Sequence, residues 1–449
     1  MTGYYIQNFG CRAAQADGAA IERQLADLGM RRVEEAQQAQ LVVLNTCTVT
    51  SAADQDARAA IRRVHREQPE AKILVTGCYA QRAPEELAGL DGVAWVVGNS
   101  HKNQIGNIVG ASPHADFVRL ETLRSSFSGD GFGAQVYLSD IFAHTELQAA
   151  PVFDGIDRTR PNVKVQDGCD NRCSFCVIPF VRGQSRSLKV DDVIHEIDSL
   201  EQAGYQEIVI SGINLGRWGR DLLPQMRFVD LLNRILVRTS IAKLRISSVE
   251  PMDWTDEVLA LIASSERICK HAHVPLQSGS DQVLRRMHRK YRPWHYAEKL
   301  EKIRAAMPEA AIGADVMVGF PGETDALFEE SRSFIESLPF TYLHVFTYSP
   351  RPGTPAANLP EQVPLHVARA RNRELRKIGE EKNLKFRSRF LGSTLKAITL
   401  SESSARGTHA LSDNYLKVEV PGSHPGNRLI RVNVSSVGEH GLCGSIAHV

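Results

Sequence analysis

Between residues 156 and 350, six short β-type runs recur, each separated from the next by a stretch of helical period. The runs span 162–166, 207–211, 243–247, 271–274, 311–318 and 342–347. The helices between them span 190–203, 228–238, 255–264, 294–306 and 326–337. Strands that alternate with helices lie parallel, because each helix carries the chain back to the starting edge by a right-handed crossover. Six such units predict an α/β fold, a partial or full (β/α)6 barrel of TIM type whose strands point their carboxyl ends at one face. Any site belongs on that face.

The same alternation occupies residues 1–112 on a smaller scale. Runs at 3–9, 41–44, 72–75 and 94–97 alternate with helices at 19–28 and 51–66, which predicts a parallel α/β domain. Cys11, Cys47 and Cys78 each follow one of these runs. Strand ends in a parallel sheet share an edge, so three thiols far apart in sequence converge. Residues 113–155 hold Pro113, Ser125, Ser126, Gly129, Gly131, Gly133 and Pro151 without a sustained period; they read as a linker with one short strand at 135–138. Beyond the barrel a long helix is expected over 365–391, where nine Lys/Arg stand against three Asp/Glu. The β-type runs at 395–400, 415–420 and 429–434, set between Gly, Pro and Asn, predict a small β-barrel. The expected division is 1–112, a linker at 113–155, 156–382 and 383–449.

Composition removes several classes. With 43% hydrophobic and 23% charged residues, the chain is not a disordered one. No apolar run approaches the roughly 18 residues of a membrane span. The N-terminus lacks the basic-then-apolar order of a signal peptide, so a cytoplasmic protein with no membrane partner is expected. Eight cysteines in 449 residues are too few for a disulfide scaffold. Their crowding matters more: Cys169, Cys173 and Cys176 lie on one loop after the first barrel strand, and clustered thiols in a reducing setting point to metal. A structural zinc or an ordinary iron–sulfur site takes four protein ligands. The next cysteine, Cys269, lies on or beside another strand. Three thiolates with no evident fourth describe a 4Fe–4S cluster with one iron open to a small molecule. The alternatives are a zinc loop completed by a distant His and three unrelated cysteines.

The loop Gly168-Cys169-Asp170-Asn171-Arg172-Cys173-Ser174-Phe175-Cys176 resembles the signature of the radical S-adenosylmethionine (SAM) superfamily, and the likeness runs through 156–350. It implies that Cys169, Cys173 and Cys176 are the catalytic centre. Their cluster would bind SAM at its open iron and cleave it to a 5′-deoxyadenosyl radical, with the protein supplying orientation and exclusion of water. The SAM pocket is expected from Phe175, Ser211, Gly212, Asn214, Ser247, Glu250, Gln277 and Gly319; for each of these a strand-end turn or cap is the competing explanation. Gly10-Cys11, Asn45-Thr46-Cys47-Thr48, Thr76-Gly77-Cys78-Tyr79 and Val97-Gly98-Asn99 are similar to the N-terminal domain of the methylthiotransferases. That likeness implies a second 4Fe–4S cluster on Cys11, Cys47 and Cys78. The family usually has a Cys-Lys-x-Asn-Gln-type run after the first strand. Here the run is Cys11-Arg12-Ala13-Ala14-Gln15, with Ala14 at the usual Asn. Cys269 and Cys443 match no ligand position and are expected to be structural.

Members of that family methylthiolate either a modified adenosine in tRNA or an aspartate of a ribosomal protein. Residues 165–169, 211–219, 244–251, 271–279 and 344–357 look closest to the branch acting on N6-threonylcarbamoyladenosine, rather than the isopentenyladenosine branch. The resemblance implies a transferase placing a methylthio group on C2 of that adenosine at tRNA position 37. SAM would be both methyl donor and radical source. An electron donor such as flavodoxin or ferredoxin, and a sulfur source, would be partners. The tail resembles the RNA-binding TRAM domain. Residues 383–449 carry eight Lys/Arg and four Asp/Glu, against eleven and twelve in 1–112, which agrees with phosphate contacts. A non-enzymatic alternative is an iron–sulfur module for RNA binding or redox sensing.

Overall fold

The computed structural model describes residues 2–110, 133–145, 147, 159–439 and 441–447. The N-terminal sheet is parallel throughout, in the order Arg31–Arg32, Gly3–Asn8, Leu41–Thr46, Lys72–Gly77, Val93–Gly98, Gln135–Tyr137. Leu41–Thr46 is buried at every position, as a central parallel strand covered on both faces must be. Val42, Leu44, Ile73 and Val75 pack against Ile61 and Val64 of the helix Ser51–Glu67, while Val43, Leu74 and Val97 meet Ile21 and Leu25 on the other side. Two expectations change here. The first helix is Arg12–Asp27, not 19–28, because Ala13, Ala14 and Ala16 are buried by close approach, a contribution too small in side-chain bulk to mark a period. The strand Gln135–Tyr137, read as part of a linker, is the sixth strand of this sheet. Residues 113–132, 146 and 148–155 of the expected linker lie outside the described residues.

The six barrel strands appear as Asn162–Lys164, Glu207–Ser211, Lys243–Ile246, His271–His273, Ala311–Val318 and Tyr342–Thr347. They form two three-stranded parallel sheets. A bridge between Leu244 and Ile268, and a bond from Val249 N to His273 O at 3.1 Å, join the sheets into one arc. Among the described residues no ladder links Asn162–Lys164 to Tyr342–Thr347, so the barrel is partial. Its helices, Val190–Gln202, Phe228–Arg238, Asp256–Ser264, Pro293–Ala306 and Asp325–Ser337, bury their apolar stripes against the outer face of the arc. Thr255 and Thr324 start two of them by accepting Val258 N and Leu327 N. The first strand is shorter than expected, because Gln166–Asp167 turns away to pair antiparallel with Arg186–Ser187.

The basic helix is Leu365–Ser388, laid across Tyr342–Thr347 with Gly379 against Leu343. It leads into a closed five-stranded barrel: Thr394–Ser404, Gly407–Ser412, Lys417–Pro421, Leu442–Ile446 and Leu429–Val437. Gly407–Ser412 and Leu442–Ile446 escape a sequence reading because glycine and serine interrupt their apolar alternation. This small barrel docks on the amino-terminal ends of the large one. Arg245 donates to Ser412 O at 3.0 Å and Asp413 O at 3.2 Å, Lys243 pairs with Asp413 at 2.7 Å, and Tyr415 stacks on His271 with centroids 4.3 Å apart. Among the described residues no helix is long and apolar enough to cross a membrane.

Candidate active site

The cysteine loop leaves Gln166–Asp167 at the carboxyl-end face. Gly168 has φ +75°, and a Cβ there would collide with the Gln184 carbonyl, so only glycine makes this turn. Cys169, Cys173 and Cys176 follow, all half-buried. Burial, with Cys173 beside it, pushes the Cys176 thiol up to about 12. N–H groups converge on the sulfurs: Asn171 N and Asn214 Nδ2 stand 3.4 and 3.6 Å from Cys169 Sγ, and Arg289 Nη1 stands 3.1 Å from Cys173 Sγ. Arg289 is buried and pairs on its other side with Glu250, so Glu250 acts on Cys173 through it.

Cys11, Cys47 and Cys78 sit at three strand ends on one edge of the N-terminal sheet. A Cβ on Gly10, where φ is +95°, would lie 2.6 Å from Cys47 Cβ, so the Cys11 turn rests directly on Cys47. Burial, with Cys78 nearby, pushes the Cys47 thiol up to about 12. Asn99 Nδ2 stands 3.6 Å from Cys78 Sγ. Asn45 Nδ2 donates to Ala14 O at 2.6 Å and Asn8 Oδ1 at 2.9 Å, which ties the Cys47 turn to the helix after Cys11 even with alanine at position 14.

Both donor sets fit an iron–sulfur cluster better than a single zinc. Zinc at about 2.3 Å from each sulfur would draw the sulfurs within about 4 Å of one another. Among the described residues, the group of three donors within 4.8 Å of each other is His273, Asp315 and His344, and neither cysteine trio is that tight. N–H donors aimed at sulfur also suit thiolates around a cluster.

The two sites meet. Cys78 packs with Val177 and Val181, just past Cys176, and Asn99 Nδ2 donates to Val181 O at 2.8 Å. Beneath this contact lies a buried network in which Asp17 and Lys102 of the N-terminal domain pair with Lys164, Asp167 and Arg182 of the barrel. Lys102 is 2.9 Å from Asp17 and 3.0 Å from Asp167; Arg182 is 2.9 and 2.8 Å from the same two carboxylates. Burial alone would raise these carboxyls, but the Lys102, Lys164 and Arg182 charges hold both well below the usual carboxylate range. A second strap joins Arg351 to Asp54 and to Thr48 Oγ1, the latter at 3.0 Å.

The expected SAM-pocket residues divide in two. Asn214 reaches the cysteine loop directly and Glu250 reaches it through Arg289, and Phe175 meets Phe320 edge-on with centroids 6.5 Å apart. Gly212 flanks Gln166, whose Oε1 accepts Asn214 N at 2.7 Å. The others are engaged within the strand ends: Ser211 Oγ donates to Val163 O at 3.3 Å, Ser247 N to Ile210 O at 3.0 Å, and Gly319 N to Glu323 Oε1 at 2.8 Å. Gln277, at φ 69°, bridges to Val316. Arg289, Arg182, Lys102 and Asp17 escape sequence reading, since a charged residue in a polar run carries no local sign of burial. Cys269 is buried, 3.8 Å from Glu207, apart from both sites.

Residues 3–98 match the family described as uncharacterized protein family UPF0004, and residues 163–335 match the radical SAM superfamily. A threonylcarbamoyladenosine tRNA methylthiotransferase MtaB of Bacillus subtilis (strain 168) is 36% identical over 441 residues, covering 96% of this chain and 94% of the relative. Its namesake in Aquifex aeolicus (strain VF5) is 33% identical over 427 residues, covering 95% and 98%. The radical S-adenosylmethionine methyltransferase TsrM of Kitasatospora setae, solved with cobalamin and a [4Fe-4S] cluster bound, shares the fold, with TM-score 0.59 and 15% identity over 80% of this chain and 77% of that one. Two cysteine trios on two adjoining parallel sheets, and near full-length identity to these relatives, lead to one assignment: the chain belongs to the radical SAM methylthiotransferase family, in its MtaB-like group.

Proposed function

We propose that this protein inserts a methylthio group at C2 of N6-threonylcarbamoyladenosine 37 in tRNA. The observation that carries the reading is the meeting of two three-thiol sites through Cys78, Val177 and Val181. We assign Cys169, Cys173 and Cys176 to the radical-generating 4Fe–4S cluster and Cys11, Cys47 and Cys78 to a second one. When bound, the first cluster with SAM supplies a radical able to take hydrogen from an unreactive ring carbon, and the second holds the sulfur that SAM methylates.

The chain's own groups do the rest. Asn171, Asn214 and Arg289 orient the catalytic thiolates and offset their charge. The Asp17–Arg182 network and the Arg351–Asp54 strap hold the N-terminal domain against the carboxyl-end face, which fixes the two cysteine trios relative to each other. The basic helix and the small barrel, read as a TRAM domain, supply phosphate contacts. Flavodoxin or ferredoxin and a sulfur source complete the cycle as partners.

Protein reconstituted anaerobically should hold about eight irons, four at each trio. Replacing Cys169, Cys173 and Cys176 by Ala should halve the iron and abolish 5′-deoxyadenosine. Replacing Cys11, Cys47 and Cys78 should keep reductive SAM cleavage but yield no methylthio product. Mass spectrometry of tRNA nucleosides from a strain lacking the protein should show loss of the 2-methylthio form of threonylcarbamoyladenosine. Unchanged levels of that nucleoside would sink the substrate, and undiminished SAM cleavage in the first variant would sink the radical centre.

A further inference from the structure

The last three barrel strands carry a polar patch that the roles above leave unused. His273, Asp315 and His344 stand on adjacent parallel strands, with one donor atom from each within 4.8 Å of the others. Ser248 Oγ lies 2.7 Å from His273 Nδ1. This leaves His273 Nε2 buried without a hydrogen-bond partner, 3.4 Å from Asp315 Oδ1. The Tyr342 ring packs directly over Gly313, stacked 6.0 Å from the His273 ring and tilted 5.3 Å from the His344 ring. Side chains alternate along a strand, so Tyr342, His344 and Phe346 share one face. His344 and Phe346 are exposed there, whereas Leu343 faces the helix Leu365–Ser388.

Arg12, at the start of the helix Arg12–Asp27, stands at the open side of the arc. Gln15 of the same helix accepts from Asn162 Nδ2 on the first barrel strand at 3.2 Å. The Arg12 charge acts on His344 and Tyr342 of the last strand, and on His271. Among the described residues Arg12 has neither a hydrogen-bond nor an ion-pair partner.

Three donors at this spacing would suit a divalent cation, but the Arg12 charge acting on His344 works against one. An unpaired guanidinium whose charge reaches His344, beside a carboxylate and a second imidazole, instead fits an organic ligand that carries both an anion and hydrogen-bonding groups. The threonylcarbamoyl arm has a carboxylate, a hydroxyl and ureido N–H groups. We propose that Arg12, Asp315 and His344 form the subsite for that arm, with Arg12 on its carboxylate and Asp315 and His344 on its hydroxyl and ureido groups. The assignment rests on the substrate reading above. A site built this way discriminates strongly, because a substrate lacking the arm leaves its polar groups unpaired.

Binding of the full-length reconstituted protein to labelled anticodon stem-loops tests this by fluorescence anisotropy. The stem-loops carry threonylcarbamoyladenosine, its carboxylate methyl ester, or plain adenosine. The native protein should bind the first about tenfold more tightly than the ester, the loss expected for one charge-assisted contact. Arg12→Gln should erase that difference, Arg12→Lys should restore part of it, and iron content should stay unchanged in both. His344→Phe should narrow the gap between threonylcarbamoyladenosine and adenosine. If native protein binds the threonylcarbamoyladenosine and adenosine stem-loops alike, the substrate reading fails and the subsite with it. If it prefers the modified stem-loop but binds ester and acid equally, or if Arg12→Gln keeps the preference for the acid, the subsite alone is overturned. The ester comparison uses native protein, so a variant that misfolds does not stall the test.

Discussion

At the scale of single residues, the turn into the Cys169–Cys176 loop matters as much as the cysteines proposed as ligands. Gly168→Ala should be more damaging than an ordinary surface substitution, since φ +75° and the Gln184 carbonyl both oppose a Cβ. We expect reconstituted Gly168→Ala protein to lose about half its iron and its SAM cleavage, by iron assay and 5′-deoxyadenosine yield, while the N-terminal site loads normally. Full iron content in this variant would show that the loop relaxes without cost. The cysteines were legible in the sequence because spacing on one loop is a local property. Arg289 was not: its partners, Cys173 and Glu250, come from two other segments.

At the scale of elements, the contact between the small barrel and the large one carries a pH signature. His271 is stacked on Tyr415 and bonded to Tyr342 Oη at 2.7 Å, with its Nδ1 buried and unpartnered among the described residues. Burial first, then the Arg245 charge, holds the imidazole well below its usual value of 6.5, so it is neutral in the fold. The unfolded chain takes up a proton there below about pH 6.5, and the folded chain does not. Stability should therefore fall as pH drops through 6.5, by up to about 1.4 kcal/mol per pH unit. His271→Phe should remove that share of the slope in urea unfolding between pH 7.5 and 5.5, and an unaltered slope would mean His271 protonates in place. The large-barrel strands that carry Arg245 and His271 were legible from their apolar runs. The stacking was not, because Tyr415 lies in a turn of a separate domain.

At the scale of the whole molecule, the N-terminal domain and the small barrel grip opposite ends of the large barrel. The tail is not a detachable arm: removing 383–449 would strip Arg245, Lys243 and His271 of the partners that the small barrel supplies. The phosphate contacts proposed for it are better probed at exposed cations such as Arg406, Arg428 and Arg431. Changing all three to Ala should weaken tRNA binding at every salt concentration. It should also flatten the plot of log affinity against log salt by about one for each phosphate the variant no longer neutralises. A slope equal to that of native protein would place these charges away from RNA.

The sequence by itself determined the parallel α/β alternation, the three-cysteine loop and the trio at strand ends, because period and spacing act over a few residues and need no partner. Only the tertiary structure decided what these pieces face. The alanine-rich start of the first helix, the strand Gln135–Tyr137 taken into the N-terminal sheet, and the buried Asp17–Lys102–Lys164–Asp167–Arg182 network each depend on chain segments far apart meeting in space. So do Arg12 and the His273–Asp315–His344 patch. A charge in a polar run looks solvated until another element covers it. Burial is settled by which elements pack together, and the local chain carries no record of that.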